Sequence, residues 1–310
     1  MRHNPVMQPT NPFFLPRPQD ESQAEKAGRI TKSILPPLRL GTGLVALLVA
    51  SASHAEQLPL WEIGAGLAVL NLPDYRGSDV TNTYVLPVPY IRYRGEILKA
   101  DRDGFRGILF DSEQLEVNIS LNGSLPADSD DNSARAGMAD LEPTLEIGPS
   151  VDFHLWRSPE NKMNLDFRVP LRAGITLESS PRHIGWVFWP NLKLELQDTL
   201  GHPGWDFDIQ AGPTFGDGEY NDYFYSVGPA DATAARPEYN ATAGYSGAQV
   251  SMSLTKRFPR YWVGGFLRYE NLSGAVFEDS PLVKRDSALS VGVALSWVFG
   301  ESSKRVEADE

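Results

Sequence analysis

Residues 163–177 read MNLDFRVPLRAGITL. Every second position gives Met163, Leu165, Phe167, Val169, Leu171, Ala173, Ile175 and Leu177, an apolar row without a charge; the row between is Asn164, Asp166, Arg168, Pro170, Arg172, Gly174 and Thr176. A period of two sends successive side chains to opposite faces of a strand, so this stretch predicts one long strand with an apolar face and a polar face. Its 15 residues far exceed the five or six usual in a soluble sheet.

The pattern recurs outward from this segment. Leu145, Ile147, Val151, Phe153 and Leu155 oppose Glu142, Glu146, Asp152 and His154. Ile184, Trp186, Phe188, Leu192, Leu194 and Leu196 oppose Asn191, Lys193, Glu195 and Gln197, and Trp205, Phe207, Ile209, Ala211 and Phe215 oppose Asp206, Asp208, Gln210 and Thr214. Leu289 to Phe299 alternates in the same way with small residues. Weaker alternation covers 61–70, 84–93, 96–101, 105–110, 115–123, 242–256 and 261–272, which brings the expected number of strands to about twelve, and an even number returns both chain ends to one side of a bacterial outer-membrane barrel. Connections tend to alternate in length: short at 94–95, 111–114, 157–162, 198–204 and 258–260, long at 71–83, 124–140, 216–238 and 273–286.

Alternation alone is shared by soluble barrels and sandwiches with an apolar interior. Strand length argues against them, as do aromatics such as Trp61, Tyr84, Tyr90, Trp186, Tyr261, Tyr269 and Trp297 near strand ends, where interfacial girdles sit. A soluble barrel of this size would also enclose a wide dry cavity. The fold class expected is therefore all-β: a closed antiparallel transmembrane β-barrel of about 12 strands.

Arg29, Lys32 and Arg39 precede an apolar run from Leu40 to Ala50, and Ser53 and Ala55 occupy the positions read by a signal peptidase. A signal peptide cleaved after Ala55 follows, with export by the Sec pathway to the outer membrane of a Gram-negative cell. The apolar run is about half the roughly 20 residues that a spanning helix needs. Expected organisation is thus a leader over 1–55, a barrel over 56–299 and a charged tail over 300–310. Removing the leader takes away six basic and three acidic residues and moves the net charge from −12 to −15. That balance disfavours nucleic-acid binding. The chain has no Cys, which excludes disulfides and thiolate metal sites.

The segments Pro73-Asp74-Tyr75-Arg76-Gly77-Ser78, Leu86-Pro87-Val88-Pro89-Tyr90 and Tyr93-Arg94-Gly95 resemble the MipA/OmpV family of outer-membrane proteins. Tyr223-Phe224 before Ser226-Val227, then Pro237, Tyr239 and Gly244, are similar to a second family stretch, as are Asp279-Ser280-Pro281-Leu282-Val283 and the strand from Gly292 to Phe299. The resemblance covers nearly all of residues 60–299. It implies an outer-membrane barrel linked to murein (peptidoglycan) assembly, a scaffold between a lytic transglycosylase and a murein synthase, with porin-like members as the other precedent. Pro73, Tyr75, Gly77, Ser78, Tyr223 and Phe224 are its loop-motif residues here.

No enzyme and no cofactor are expected. Ser150, Asp152 and His154 share a strand face, but residues two apart lie about 6–7 Å apart along a strand, too far for consecutive hydrogen bonds. Asp128, Asp130, Asp131 and Asp140 lack the glycine-centred spacing of a calcium loop. His154, His183 and His202 fall on different elements, so no metal site is expected. The inward face is expected to carry Glu142, Glu146, Asp152, Asp166, Arg168, Arg172, Lys193, Glu195, Asp206, Asp208, Arg268 and Glu270. Charges of both signs facing a lumen suit structural ion pairing or a channel filter. Partners beyond outer-membrane lipid and lipopolysaccharide would meet the short turns, where Arg157, Lys162 and Arg260 are the candidate contacts.

Overall fold

The structure, a computed structural model, describes residues 57–307 apart from 96, 97, 102, 103, 161 and 200–202. The expected leader lies outside the described residues, and so does His202.

Among the described residues fifteen strands and one α-helix follow in order: β1 (Gln57–Pro59), β2 (Trp61–Pro73), β3 (Thr81–Arg94), β4 (Leu98–Asp101), β5 (Gly104–Asp111), β6 (Leu115–Ser124), β7 (Thr144–Arg157), β8 (Met163–Thr176), β9 (His183–Phe188), β10 (Asn191–Leu196), β11 (Trp205–Gly216), α1 (Gly218–Tyr225), β12 (Gly244–Arg257), β13 (Tyr261–Asn271), β14 (Ser287–Glu301) and β15 (Arg305–Glu307). Antiparallel ladders join β2 through β8 in chain order. β8 pairs with both β9 and β10, and β11 pairs with both of these. From β11 the ladders run through β12 and β13 to β14, and β14 pairs with β2. Among the described residues no helix is long and apolar enough to cross a membrane.

The alternation read from sequence sorts solvent exposure in reverse of a soluble sheet. Large apolar side chains on one face stand open, with Val85 at 64%, Val293 at 62% and Phe299 at 65% exposed, while Asn118 and Ser150 on the other face are at 0%. Glu62, Glu116, Glu146, Asp152, Arg172, Lys193 and Asp208 are buried with them. Water would penalise an exposed apolar band of this extent; lipid does not.

Three features depart from the sequence expectation. The segment from Ile184 to Leu196 is two strands and not one, broken at Trp189-Pro190, because Pro190 has no N–H to give to a ladder. The amide of Trp189 holds the break in place by donating to Pro170 O at 3.3 Å. The expected tail from 300 is partly strand: β14 continues to Glu301, and β15 pairs with β1 through Gln57 opposite Glu307, Leu58 opposite Val306 and Pro59 opposite Arg305. Finally, the long connection expected over 216–238 contains α1, capped by the Asp217 carboxylate, which accepts from Tyr220 N at 2.8 Å.

Candidate functional site

The four long connections, together with α1, form a cap with its own core. Tyr75 after β2, Ala127, Ala134 and Leu141 between β6 and β7, Tyr225 and Val227 at the end of α1, and Leu272, Ala275, Phe277 and Leu282 after β13 pack into one apolar cluster. Tyr225 stacks on Phe277 with ring centroids 3.6 Å apart, and Tyr75 meets Tyr225 edge-on at 6.4 Å. Hydrogen bonds stitch the loops together: Tyr75 OH donates to Leu282 O at 2.7 Å, Ser280 Oγ to Tyr225 O at 2.7 Å, and Asn132 Nδ2 to Asp74 Oδ2 at 2.7 Å and to Ser78 Oγ at 3.0 Å. Gly77 sits at φ +94°, where a side chain is strained, and its carbonyl accepts from Lys284 N and Arg285 N. Thus Tyr75 and Gly77 of the motif reach a segment some two hundred residues away, and Ser78 reaches the connection between β6 and β7. Pro73 closes β2 ahead of them, Phe224 packs against the cluster, and Tyr223 OH accepts from Glu142 N at 3.0 Å.

Burial disfavours the phenolate of these tyrosines. It pushes Tyr75 up to about 12, and it also raises Tyr225, Tyr223 and Tyr220.

α1 ties the cap to the sheet interior. Gly185, at φ +108°, lets the helix start lie against β9, since a Cβ there would stand 2.3 Å from Tyr220 N. Tyr220 OH then donates to Glu146 Oε1 at 2.7 Å. Glu146 also takes Arg172 Nη1 at 3.1 Å, and Arg172 Nε donates to Ser120 Oγ at 3.0 Å. Further along the face Arg168 Nε meets Asp152 Oδ2 at 3.1 Å, His154 Nδ1 meets Asp166 Oδ1 at 2.8 Å and Lys193 Nζ meets Glu195 Oε1 at 2.5 Å. Arg76 from the cap reaches down to Glu270, Nε to Oε1 2.9 Å. At the end with the short turns, Glu62 accepts from Arg257 and Arg94.

The structure places eleven of the twelve charges expected on the inward face within strands; Asp208 accepts from Ser253 Oγ at 2.9 Å, Asp206 lies opposite Thr255, and Arg268 lies opposite Ser251 and Ser290. Glu142 is the exception. It precedes β7 in the cap connection, because Pro143 interrupts the alternation before the strand begins at Thr144. Ser150, Asp152 and His154 are not a relay: Ser150 Oγ donates to Asp152 Oδ1, whereas His154 is turned to Asp166 on β8. Asp128 and Asp140 accept backbone amides of Asp130 and Ser129, which shapes their loop. No group of three or more His, Cys, Asp or Glu placed to hold a metal occurs among the described residues.

Of the candidate partner contacts, Arg157 and Arg260 are exposed at turn positions. Lys162 is engaged by Asp198, Nζ to Oδ2 2.9 Å, linking two neighbouring turns. Sequence reasoning missed α1 and its Tyr220 anchor, although Asp217 ahead of Tyr220 and the aromatic pair Tyr223-Phe224 is an N-cap signal.

Polar side chains buried on one face of a long-stranded sheet and apolar ones exposed on the other define an outer-membrane β-protein. The chain belongs to the MltA-interacting protein MipA family, whose description matches residues 65–299. Proteins of this family are structural and non-catalytic. Outer membrane protein Omp26La of Vibrio anguillarum is similar at 24% identity over 213 residues, 67% of this chain and 76% of that protein. Among solved structures, the NanC porin is similar at 11% identity with a TM-score of 0.36, covering 74% of this chain and 98% of that one. The outer membrane protein OprG from Pseudomonas aeruginosa has a TM-score of 0.20 at 7% identity, covering 79% and 95%.

Proposed function

We propose that strands β2 to β14 form a closed twelve-stranded transmembrane barrel, β9 and β10 counting as one interrupted strand, and that this barrel is a scaffold in murein assembly. The pairings of β14 with β2 and of β8 with β10 support closure, which leaves no unpaired edge in hydrocarbon. The observation that carries the scaffold reading over the diffusion channel is the seating of α1 into the interior through Tyr220 and Glu146, above a lumen whose charges are largely ion-paired. A filter built to pass solutes would leave such charges facing water.

Murein lies beneath the outer membrane, so a lytic transglycosylase or murein synthase would meet the short turns and the β1–β15 ladder. Arg157 and Arg260 are exposed cations of the turns, Lys162 is shared with Asp198, and Lys304 and Arg305 are exposed beside the ladder. The interface is polar and salt-sensitive. Immobilised barrel is expected to capture a lytic transglycosylase at low salt, and the triple change Arg157→Ser, Lys162→Ser, Arg260→Ser is expected to weaken capture while the barrel stays folded. Absent capture by the parent protein, combined with steady ion conductance in planar bilayers, would replace the scaffold with the channel.

A further inference from the structure

Beneath the cap the interior holds a cavity of about 690 Å³, a size typical of small-molecule sites. The arginines in its wall are matched by carboxylates: Arg172 by Glu146, Arg168 by Asp152 and Arg76 by Glu270. Arg268 differs. It stands midway along β13, half-buried, and among the described residues it makes no hydrogen bond or ion pair; its Nε is buried without an acceptor. Its cross-strand neighbours are Ser251 and Ser290, neither of them acidic. The nearest acid along its own face, Glu270, is taken by Arg76. A guanidinium so placed is costly unless something supplies the counter-charge.

Asp208 and Lys193 also line the cavity, but the side chains on the strands flanking Arg268 at its own level are neutral and hydrogen-bonding. Gln210, Gln249 and Ser251 line the same cavity, together with the flat ring of Trp189. Gln210 Oε1 and Trp189 Nε1 have no hydrogen-bond partner, while Gln249 Nε2 already donates to Ser251 Oγ at 3.1 Å. We infer that the cavity binds a small hydroxylated monoanion of sugar-acid size. Its carboxylate sits on the planar fork of Arg268, which matches carboxylate geometry. Its hydroxyl-bearing body lies among the amide and hydroxyl side chains, against Trp189. This goes beyond the scaffold reading, and either outcome of its test leaves that reading where it stands.

The test is isothermal titration of the purified full chain in detergent with D-glucuronate, D-glucose and acetate. Glucuronate is expected to saturate one site, with glucose and acetate each at least tenfold weaker. Arg268→Gln should weaken glucuronate at least tenfold, and Arg268→Lys should recover part of the loss. Thermal stability of Arg268→Gln should equal or exceed that of the parent, because the change removes a half-buried charge without a counter-charge. Failure of the parent to bind glucuronate, unchanged binding by Arg268→Gln, or acetate binding as tightly as glucuronate would each overturn the proposal. So would loss of folding in Arg268→Gln with recovery in Arg268→Lys, which would make Arg268 a structural residue.

Discussion

On β14, Val293 is 62% exposed while Ser290 is buried; in the cap, Phe277 and Leu282 are at 0% while Asp279 between them is exposed. The two regions use similar residue types in opposite senses. The strand band hides polar groups and shows apolar ones, as a sheet solvated by lipid does, and the cap obeys the ordinary rule of a water-soluble core. A single chain thus carries two solvents' worth of instructions. Tyr220 and Arg76 are among the side chains that cross from one regime into the other.

The largest expected effect tests whether the regions are separate cooperative units. Phe277→Ala removes a fully buried ring stacked on Tyr225 and should destabilise the cap by about 3–5 kcal/mol. Hydrogen exchange should accelerate in 218–243 and 272–286 while the strand amides stay protected. If the strands lose protection equally, cap and band are one unit.

Next in size is the converse change in the band. Val293→Arg puts a guanidinium on the lipid face and should cost about 2–4 kcal/mol, read as lower folding yield into lipid vesicles. Val293→Leu should fold like the parent. Equal yields for arginine and leucine would reverse the assignment of faces.

This contrast also explains what was legible in the sequence. The band could be read because period two is a local property, and Met163 to Leu177 displays it without a break. It failed at Trp189-Pro190, where a missing N–H interrupts a strand whose side-chain pattern continues, and at Glu142, where Pro143 delays the strand. The cap was not legible in the same way. Tyr75, Tyr225, Phe277 and Leu282 are scattered with no period, and only the tertiary fold gathers them. The motif marked Tyr75, Gly77 and Ser78 as special without saying that they bind segments far along the chain. Arg268 was one of twelve inward charges, and its lack of a counter-charge depends on cross-strand register, which alternation does not specify.

Alkaline titration should separate the regions by pH. Burial raises Tyr75 to about 12 from an ordinary value of 10.0, and Tyr225 also rises. A raised folded-state value means the folded cap holds its proton more tightly than the unfolded chain. Its contribution is therefore complete below about pH 10 and is lost progressively as pH rises toward about 12. Cap hydrogen bonds such as Tyr75 to Leu282 should loosen in that window, followed by tyrosinate absorbance and by proteolysis of the loops. Strand circular dichroism should hold across it. Simultaneous loss of both would contradict two separately solvated regions.

The smallest expected effect lies at the opposite end from the cap, where Lys162 and Asp198 join two exposed turns at 2.9 Å. Asp198 is drawn to lower pKa first by the Gly204 amide, which donates to Oδ1 at 2.8 Å, and then by Lys162. The backbone bond organises the turn, and the lysine only adds a solvent-screened attraction. Lys162→Ala should therefore leave stability unchanged in a denaturant titration. Asp198→Ala loses the Gly204 bond and leaves at φ +50° a residue without the local side-chain hydrogen bond that makes this conformation tolerable for aspartate, so it should destabilise measurably. Because a lowered carboxylate stabilises above its unfolded pKa and ceases to do so as pH falls through the folded value, the gap between the two variants should narrow in acid to the pH-independent backbone part. A destabilisation by Lys162→Ala as large as that by Asp198→Ala would mean that this ion pair, and not the backbone bond, holds the turn where a periplasmic partner would dock.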